Sequence, residues 1–234
     1  LQSQIDALQA MTGSGTVTDQ DGNSYPYLTY GDQVWTVENA EMVTYRDGTP
    51  IPQVTDNTEW QNLTTGAWCY YNNDPTKGKL YNWYAVAGIH DNDPITPDKE
   101  LAPEGWHVPS DEEWTTLEEY LIANGYNYDG TTTTGNKIAK AMASTTGWNI
   151  STEPGATGND QSTNNSSGFN AFPEGYRTNN GLFDFEGAHT WFWSSTATDA
   201  TYASDRALRF STNYMFRSYR YKQNGFSVRF VKDN

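Results

Sequence analysis

One segment carries a complete set of helix signals, and it limits how much of this chain can be helical. In Pro109-Ser-Asp-Glu-Glu113-Trp114, Ser110 is placed to accept the N3 amide while Glu113 reaches back to the cap. The acidic first turn complements the helix dipole. Trp114, Leu117 and Leu121 then fall on one face, and Asn124-Gly125 supplies the stop. Shorter helices are expected over 80–87, ending at Gly88, and over 136–143. Most of the remainder reads as short alternating strands, at 34–37, 169–172, 191–195, 206–210, 214–217 and 226–231, with long Thr/Asn/Ser/Gly loops over 145–167. With 9 Trp, 16 Tyr and 20 Gly but only 18% charged residues, this pattern predicts a loop-rich α+β domain packed on aromatic rings rather than a helical bundle.

At the N-terminus, Leu1, Ile5, Leu8 and Met11 recur at helical spacing before Thr12-Gly13-Ser14-Gly15. They read as the last turns of a helix, either a coiled-coil stalk or a linker. The organisation expected is a stalk over 1–14 and one domain over 15–234, with homotrimerisation through the stalk. The first residue is Leu rather than Met, which reads as a processed or truncated piece of something longer. A formal net charge of −15 disfavours nucleic-acid and anionic-membrane partners. No apolar run approaches the roughly 20 residues that cross a bilayer.

Signs of catalysis are sparse. There is no phosphate-cradling glycine loop, G-x-S-x-G elbow or His-Glu-x-x-His helix. Cys69 is the single cysteine, which excludes an intramolecular disulfide and a cysteine-based zinc site. It lies in Ala67-Trp-Cys-Tyr-Tyr71, a stretch expected to bury and silence it. His90, His107 and His189 are isolated in sequence and read as structural. Glu112, Glu113, Glu118 and Glu119 cluster on the helix, where dipole complementation and a solvated face explain them better than paired acid and base work. Asp19, Asp21 and Asn23 begin like a calcium loop but lack the downstream Glu, so a hairpin turn is the better reading.

The C-terminal stretch is more informative. Arg206, Leu208 and Phe210 share one strand face and Asp205, Ala207 and Arg209 the other; Met215 and Arg217 oppose Tyr214, Phe216 and Ser218. One face is expected to pack inward and the other to look out. Tyr202, Ser204, Asp205, Asn213, Tyr214, Phe216, Tyr219 and Tyr221 have the residue bias of an antibody paratope, in which Tyr supplies rigid contact area and Ser and Asn supply adaptable hydrogen bonds. The plainer alternative is that tyrosines cover a strand surface.

Several segments together resemble a known family. Val34-Trp-Thr-Val-Glu-Asn39, Lys79-Leu-Tyr-Asn-Trp-Tyr-Ala-Val86, Pro103-Glu-Gly-Trp-His-Val-Pro-Ser-Asp-Glu-Glu-Trp114, Gly168-Phe169, Pro173-Glu-Gly-Tyr-Arg177, Phe192-Trp-Ser-Ser-Thr196 and Gly225-Phe-Ser-Val-Arg229 resemble the Fibrobacter succinogenes major paralogous domain. That resemblance implies a C-type-lectin-like fold of the formylglycine-generating-enzyme branch, in which some members are variable proteins of diversity-generating retroelements. It implies ligand-binding positions at Tyr202, Ser204, Asp205, Ala207, Arg209, Asn213, Tyr214, Phe216, Ser218, Tyr219 and Tyr221. The function it implies is a non-enzymatic domain displayed outside the cell, on a phage tail fibre, virion or bacterial surface, that binds a protein or glycan receptor. A structural, oligomerising fibre segment is the alternative, and a formylglycine-type enzyme a more distant one. Two departures stand out: the family's paired cysteines are Ala102 and Phe230 here, and one cysteine cannot form the copper pair of the related oxidase. Neither Glu-Pro-Asn nor Trp-Asn-Asp, the triplets of calcium-dependent lectins, occurs. No cofactor is expected. Related scaffolds often hold a structural calcium ion, but no ligand set for one stands out among the Asn/Asp-rich loops.

Overall fold

The computed structural model describes residues 13–233, and the stalk helix expected at the N-terminus lies outside them. Strands β1 (Gly15–Thr18) and β2 (Ser24–Tyr30) form the expected hairpin. Asp19 closes its turn: the carboxylate accepts the Asp21 and Asn23 amides, each at 2.9 Å, and the Tyr25 hydroxyl at 2.6 Å. Asp21 instead accepts the Val43 and Thr44 amides of a neighbouring segment at 2.6 and 3.0 Å. Protein donors thus engage both carboxylates, as a turn requires.

Strand β3 (Gln33–Thr36) continues this sheet, and the final strand, β12 (Val231–Lys232), enters between β3 and β6 (Trp106–His107). Val231 pairs with Trp35 on one side and His107 on the other, so the end of the chain ties two early segments together. His107 is clamped between Glu113 at 2.7 Å and Asp233 at 2.5 Å, and Glu113 foremost raises its pKa to about 9. Two-stranded ribbons join β4 (Trp68–Tyr70) to β5 (Lys79–Tyr81) and β7 (Tyr176–Arg177) to β8 (Phe183–Asp184). A second main sheet, in the order β11-β10-β9, is built from β9 (His189–Ala197), β10 (Tyr202–Arg209) and β11 (Phe216–Tyr221). All these strand pairs are antiparallel, and the helices are few: α1 (Asn57–Gln61), α2 (Trp83–Val86), α3 (Asp111–Ala123) and α4 (Ala139–Met142). The architecture is mixed, broadly α+β. Among the described residues, no helix is long and apolar enough to cross a membrane.

The β9-β10-β11 sheet lies between two aromatic cores. Trp191, Trp193, Ala203 and Ala207 join Phe226, Trp83 and Trp106 on one side. Phe192, Leu208 and Met215 join Trp35, Trp114 and Phe169 on the other. The second core is a cluster of tilted and edge-to-face rings: Trp35 lies 4.7 Å from Trp114, which lies 5.6 Å from Phe192 and 5.9 Å from Phe169. Helix α3 delivers Trp114, and the Ser110 and Glu113 capping box is formed as its sequence predicts.

Several sequence expectations change in length or kind. The helix expected over 80–87 begins as strand β5, because Asn82 interrupts it: its Oδ1 accepts the amides of Ala67 and Ala85, both at 3.0 Å, and caps α2. The helix expected over 136–143 shrinks to α4. Asn136 instead mimics a strand neighbour for Met215, accepting its amide at 3.1 Å and donating to its carbonyl at 2.8 Å. That engagement also moves the start of β11 from the expected 214 to Phe216. Segment 169–172 is no strand and keeps only a bridge from Ala171 to Ala143. The run 226–231 divides its bonds among Tyr81, Trp191, Trp193, Ala40 and Thr36 before the short β12. The loops over 145–167 are organised by side chains: Asn164 donates to the carbonyls of Ser144 and Thr157 at 2.8 and 2.9 Å, and Lys140 donates to Asn164 at 2.8 Å.

Candidate functional site

The β10-β11 hairpin brings together most of the residues singled out from sequence, but on two faces rather than one. Its register pairs Tyr202 with Tyr221, Ser204 with Tyr219, and Arg206 with Arg217, so these six side chains share a face. Asp205 pairs with Ser218 and Ala207 with Phe216 on the opposite face, where Arg209 also falls. The expected single platform is therefore two patches.

On the first face the Tyr202 ring lies 5.7 Å from Tyr219 and 4.7 Å from Tyr221. Tyr219 is 60% exposed and Tyr221 41%. Beneath them the strand is locked to helix α3. Arg206, fully buried, donates to Asp111 Oδ1 at 2.6 Å, to the Asp111 carbonyl at 3.0 Å and to Thr115 Oγ1 at 3.1 Å. Arg217, on the neighbouring edge strand, adds contacts to the same carboxylate. Burial pushes the Asp111 carboxyl up, but the two guanidinium groups outweigh it and hold it below its usual value. The tyrosine patch thus sits on a backbone with little freedom to shift.

On the second face the Tyr214 ring lies tilted against Phe216 at 4.3 Å, and the Arg209 guanidinium lies 3.6 Å over the Phe216 ring. Asn213, at the turn, gives its carbonyl to the Ala139 amide at 3.2 Å. Two residues expected to face outward are buried: Asp205 and Ala207 are 0% and 1% exposed. Strand β10 is the middle strand and β9 places Trp193 and Trp191 beside them. The Asp205 carboxylate accepts Ser218 Oγ at 2.9 Å, and burial raises its pKa to about 6. Neither side chain is free to touch a ligand.

The side chains with other chemistry lie apart from the hairpin's exposed face. His189 stacks on Phe185 at 4.5 Å, and burial foremost, then Arg209, lowers its pKa to about 4. His90 lies 3.3 Å from Asp91. Glu112 and Glu119 are exposed, Glu113 is bound in the capping box, and Glu118 accepts Asn136 Nδ2 at 2.8 Å. Among the described residues, no three His, Cys, Asp or Glu side chains are grouped so as to hold a metal ion. Cys69 is fully buried, and burial pushes its thiol up to about 12. Native protein should therefore resist iodoacetamide at pH 8 over hours while urea-unfolded protein reacts in minutes, as read by mass spectrometry; rapid native labelling would contradict the packing.

Sequence reasoning missed the Asp111, Arg206 and Arg217 cluster. A signal was present: arginines at facing strand positions and an Asp at the first turn of the one strong helix. Nothing local said that the three would meet.

No curated protein and no solved structure matches this chain. The model of the Fibrobacter succinogenes major domain matches residues 28–232. That span takes in β3, helix α3, the β9-β10-β11 sheet and β12, so the chain belongs to the Fibrobacter succinogenes major domain family.

Proposed function

We propose that this chain is a binding module with a C-type-lectin-like fold, docking a protein or glycan receptor through the Tyr202, Tyr219 and Tyr221 patch. The observation that carries this reading is a cluster of exposed tyrosines on a hairpin whose backbone is pinned by a buried ion-pair network. Rigid aromatic side chains lose little entropy on contact, and a fixed strand spares the cost of ordering a loop. Ser204 beside Tyr219 and the largely exposed Arg217 supply the polar fringe of such a site.

The same reading accounts for a diversity-generating retroelement variable protein on a phage fibre or bacterial surface. Tyr202, Ser204, Arg209, Asn213, Tyr214, Tyr219 and Tyr221 keep partial or full solvent contact and can change without opening a core, whereas Asp205 and Ala207 cannot, and Phe216 and Ser218, though partly exposed, respectively pack on the core and bind Asp205. The domain acts by recognition and not by catalysis.

The purified domain should bind bacterial cells or a glycan on an array, and Tyr219→Ala with Tyr221→Ala should weaken that binding. Central aromatic truncations cost about 2 kcal/mol or more each, roughly 30-fold in affinity. Folding stability should move by less than about 0.5 kcal/mol, since both rings are exposed. Tyr214→Ala is the control on the second face. Full binding by the double variant would defeat the assignment.

A further inference from the structure

Away from the hairpin, Glu174 sits where two clefts adjoin. One, of about 260 Å³, is lined by Glu38, Asn39, Glu41, Phe172, Glu174 and Arg229, among others. The other, of about 220 Å³, is lined by Tyr71, Lys77, Gly78, Phe172, Glu174 and Glu186 with Thr76. Glu174 and Phe172 belong to both. Oε2 of Glu174 is sealed from bulk solvent and has no hydrogen-bond partner among the described residues, an arrangement that costs about 1–3 kcal/mol for a neutral group and more for a charged one.

The cations nearby are committed elsewhere. Lys79 is bound to Glu41 at 2.7 Å, and Lys77 to Glu186. Arg229, fully buried, gives its donors to Asn39 Oδ1 at 2.7 Å and to the carbonyls of Thr36, Phe169 and Asn170. Glycine at position 78 makes room for the carboxylate, since a Cβ there would lie 2.3 Å from Glu174 Oε2. Burial foremost, then the Glu41 charge, lifts the Glu174 pKa to about 7, against Asn39, Arg229 and Ser227, which pull it down.

We propose that this paired cleft binds a primary alkylammonium group, with the cation on Glu174 and its alkyl stem along Phe172 and Tyr71. The buried oxygen lacks a donor, Glu38 and Glu41 add negative charge, and the two aromatic rings offer apolar cover for methylenes. A metal ion fits less well, because Glu38, Glu41 and Glu174 line one cleft without forming a group that could hold one, and no such group occurs among the described residues. This site is independent of the tyrosine hairpin: none of its lining residues belongs to β10 or β11.

The test is calorimetric titration of the whole chain with 1,5-diaminopentane, with Nα-acetyl-lysine methylamide, with 1-pentanol and with calcium chloride. Both amines should bind if the ammonium is what the cleft recognises; binding of the diamine alone points to a free small molecule, and binding of the lysine amide to a lysine side chain on a partner. Because the ammonium needs Glu174 ionised, affinity should rise about tenfold from pH 6 to pH 8. The charged groups around the same space are Glu38, Glu41, Glu186, Lys77, Lys79 and Arg229. Glu174→Gln should cost about 10- to 100-fold in amine affinity while leaving the thermal midpoint unchanged or higher, since it removes a buried charge of matching shape. Absent amine binding, undiminished binding by Glu174→Gln, equal binding of 1-pentanol, or calcium binding lost in that variant without amine binding would each overturn the proposal.

Discussion

Asp111→Ala should cost about 3–5 kcal/mol of folding stability, because it strands a buried guanidinium without its counter-charge. Arg206 is fully buried, and Asp111 supplies both a carboxylate oxygen and a carbonyl to it. The carbonyl survives the substitution, but the charge does not. Arg217→Ala at the exposed end of the same network should cost no more than about 1 kcal/mol, since its side chain is 61% exposed and water replaces the contact. The contrast is measured by urea titration followed through tryptophan fluorescence. A loss below about 1 kcal/mol in Asp111→Ala would mean that Arg206 finds another partner.

The same carboxylate sets part of the acid sensitivity. An Asp titrates near 3.9 when unfolded, and in the fold Asp111 titrates lower. Its stabilising contribution is therefore fully present above about pH 5 and is lost as pH falls through the folded value. Asp111→Ala should show a shallower loss of stability than the parent between pH 5 and pH 2, read from midpoints at each pH.

Arg177→Ala is the second large effect, and its origin differs because, among the described residues, Arg177 forms no ion pair and binds mainly carbonyls. Its guanidinium donates to the carbonyls of Gly181 at 3.0 Å, Val54 at 2.5 Å, Thr55 at 3.0 Å and Asp56 at 3.2 Å, and to Asn57 Oδ1 at 3.1 Å. It also lies 4.3 Å over the Trp60 ring and 5.0 Å over Phe183. Removing it leaves several carbonyls without donors and a cavity between two rings, together about 3–5 kcal/mol. For a chain of this size that lowers the thermal midpoint by roughly 10 °C. Arg177→Lys should recover less than half, since one ammonium cannot span the fork of acceptors. Cys69, which contacts Arg177, supplies a local readout: its thiol should become reactive to iodoacetamide in Arg177→Ala at temperatures where the parent stays protected. An unchanged midpoint together with a silent thiol would show that the carbonyls are satisfied without Arg177.

Much of the local structure was legible because its causes are local. Ser110 and Glu113 cap α3 through atoms within one turn, and Asp19 closes the first hairpin through amides two and four residues away. The alternation along β10 correctly placed Arg206 and Leu208 opposite Asp205 and Ala207. The short helices and strands were less legible where a distant residue intervened. Asn82 and Asn136 each spend their amides on segments far along the chain, which shortens the elements they were expected to extend.

By itself the sequence determined the family, the one long helix, the silent cysteine and the alternation of side chains within each strand of the final hairpin, since each follows from a motif, a composition or a backbone period. Only the tertiary structure decided which face of one strand pairs with which face of the other, that both faces of β10 are covered from Asp205 to Leu208, and that Arg177, Arg206 and Arg229 are interior residues. The reason is physical: a period of two fixes the direction of a side chain relative to its neighbours, whereas burial depends on what other layers pack against each face.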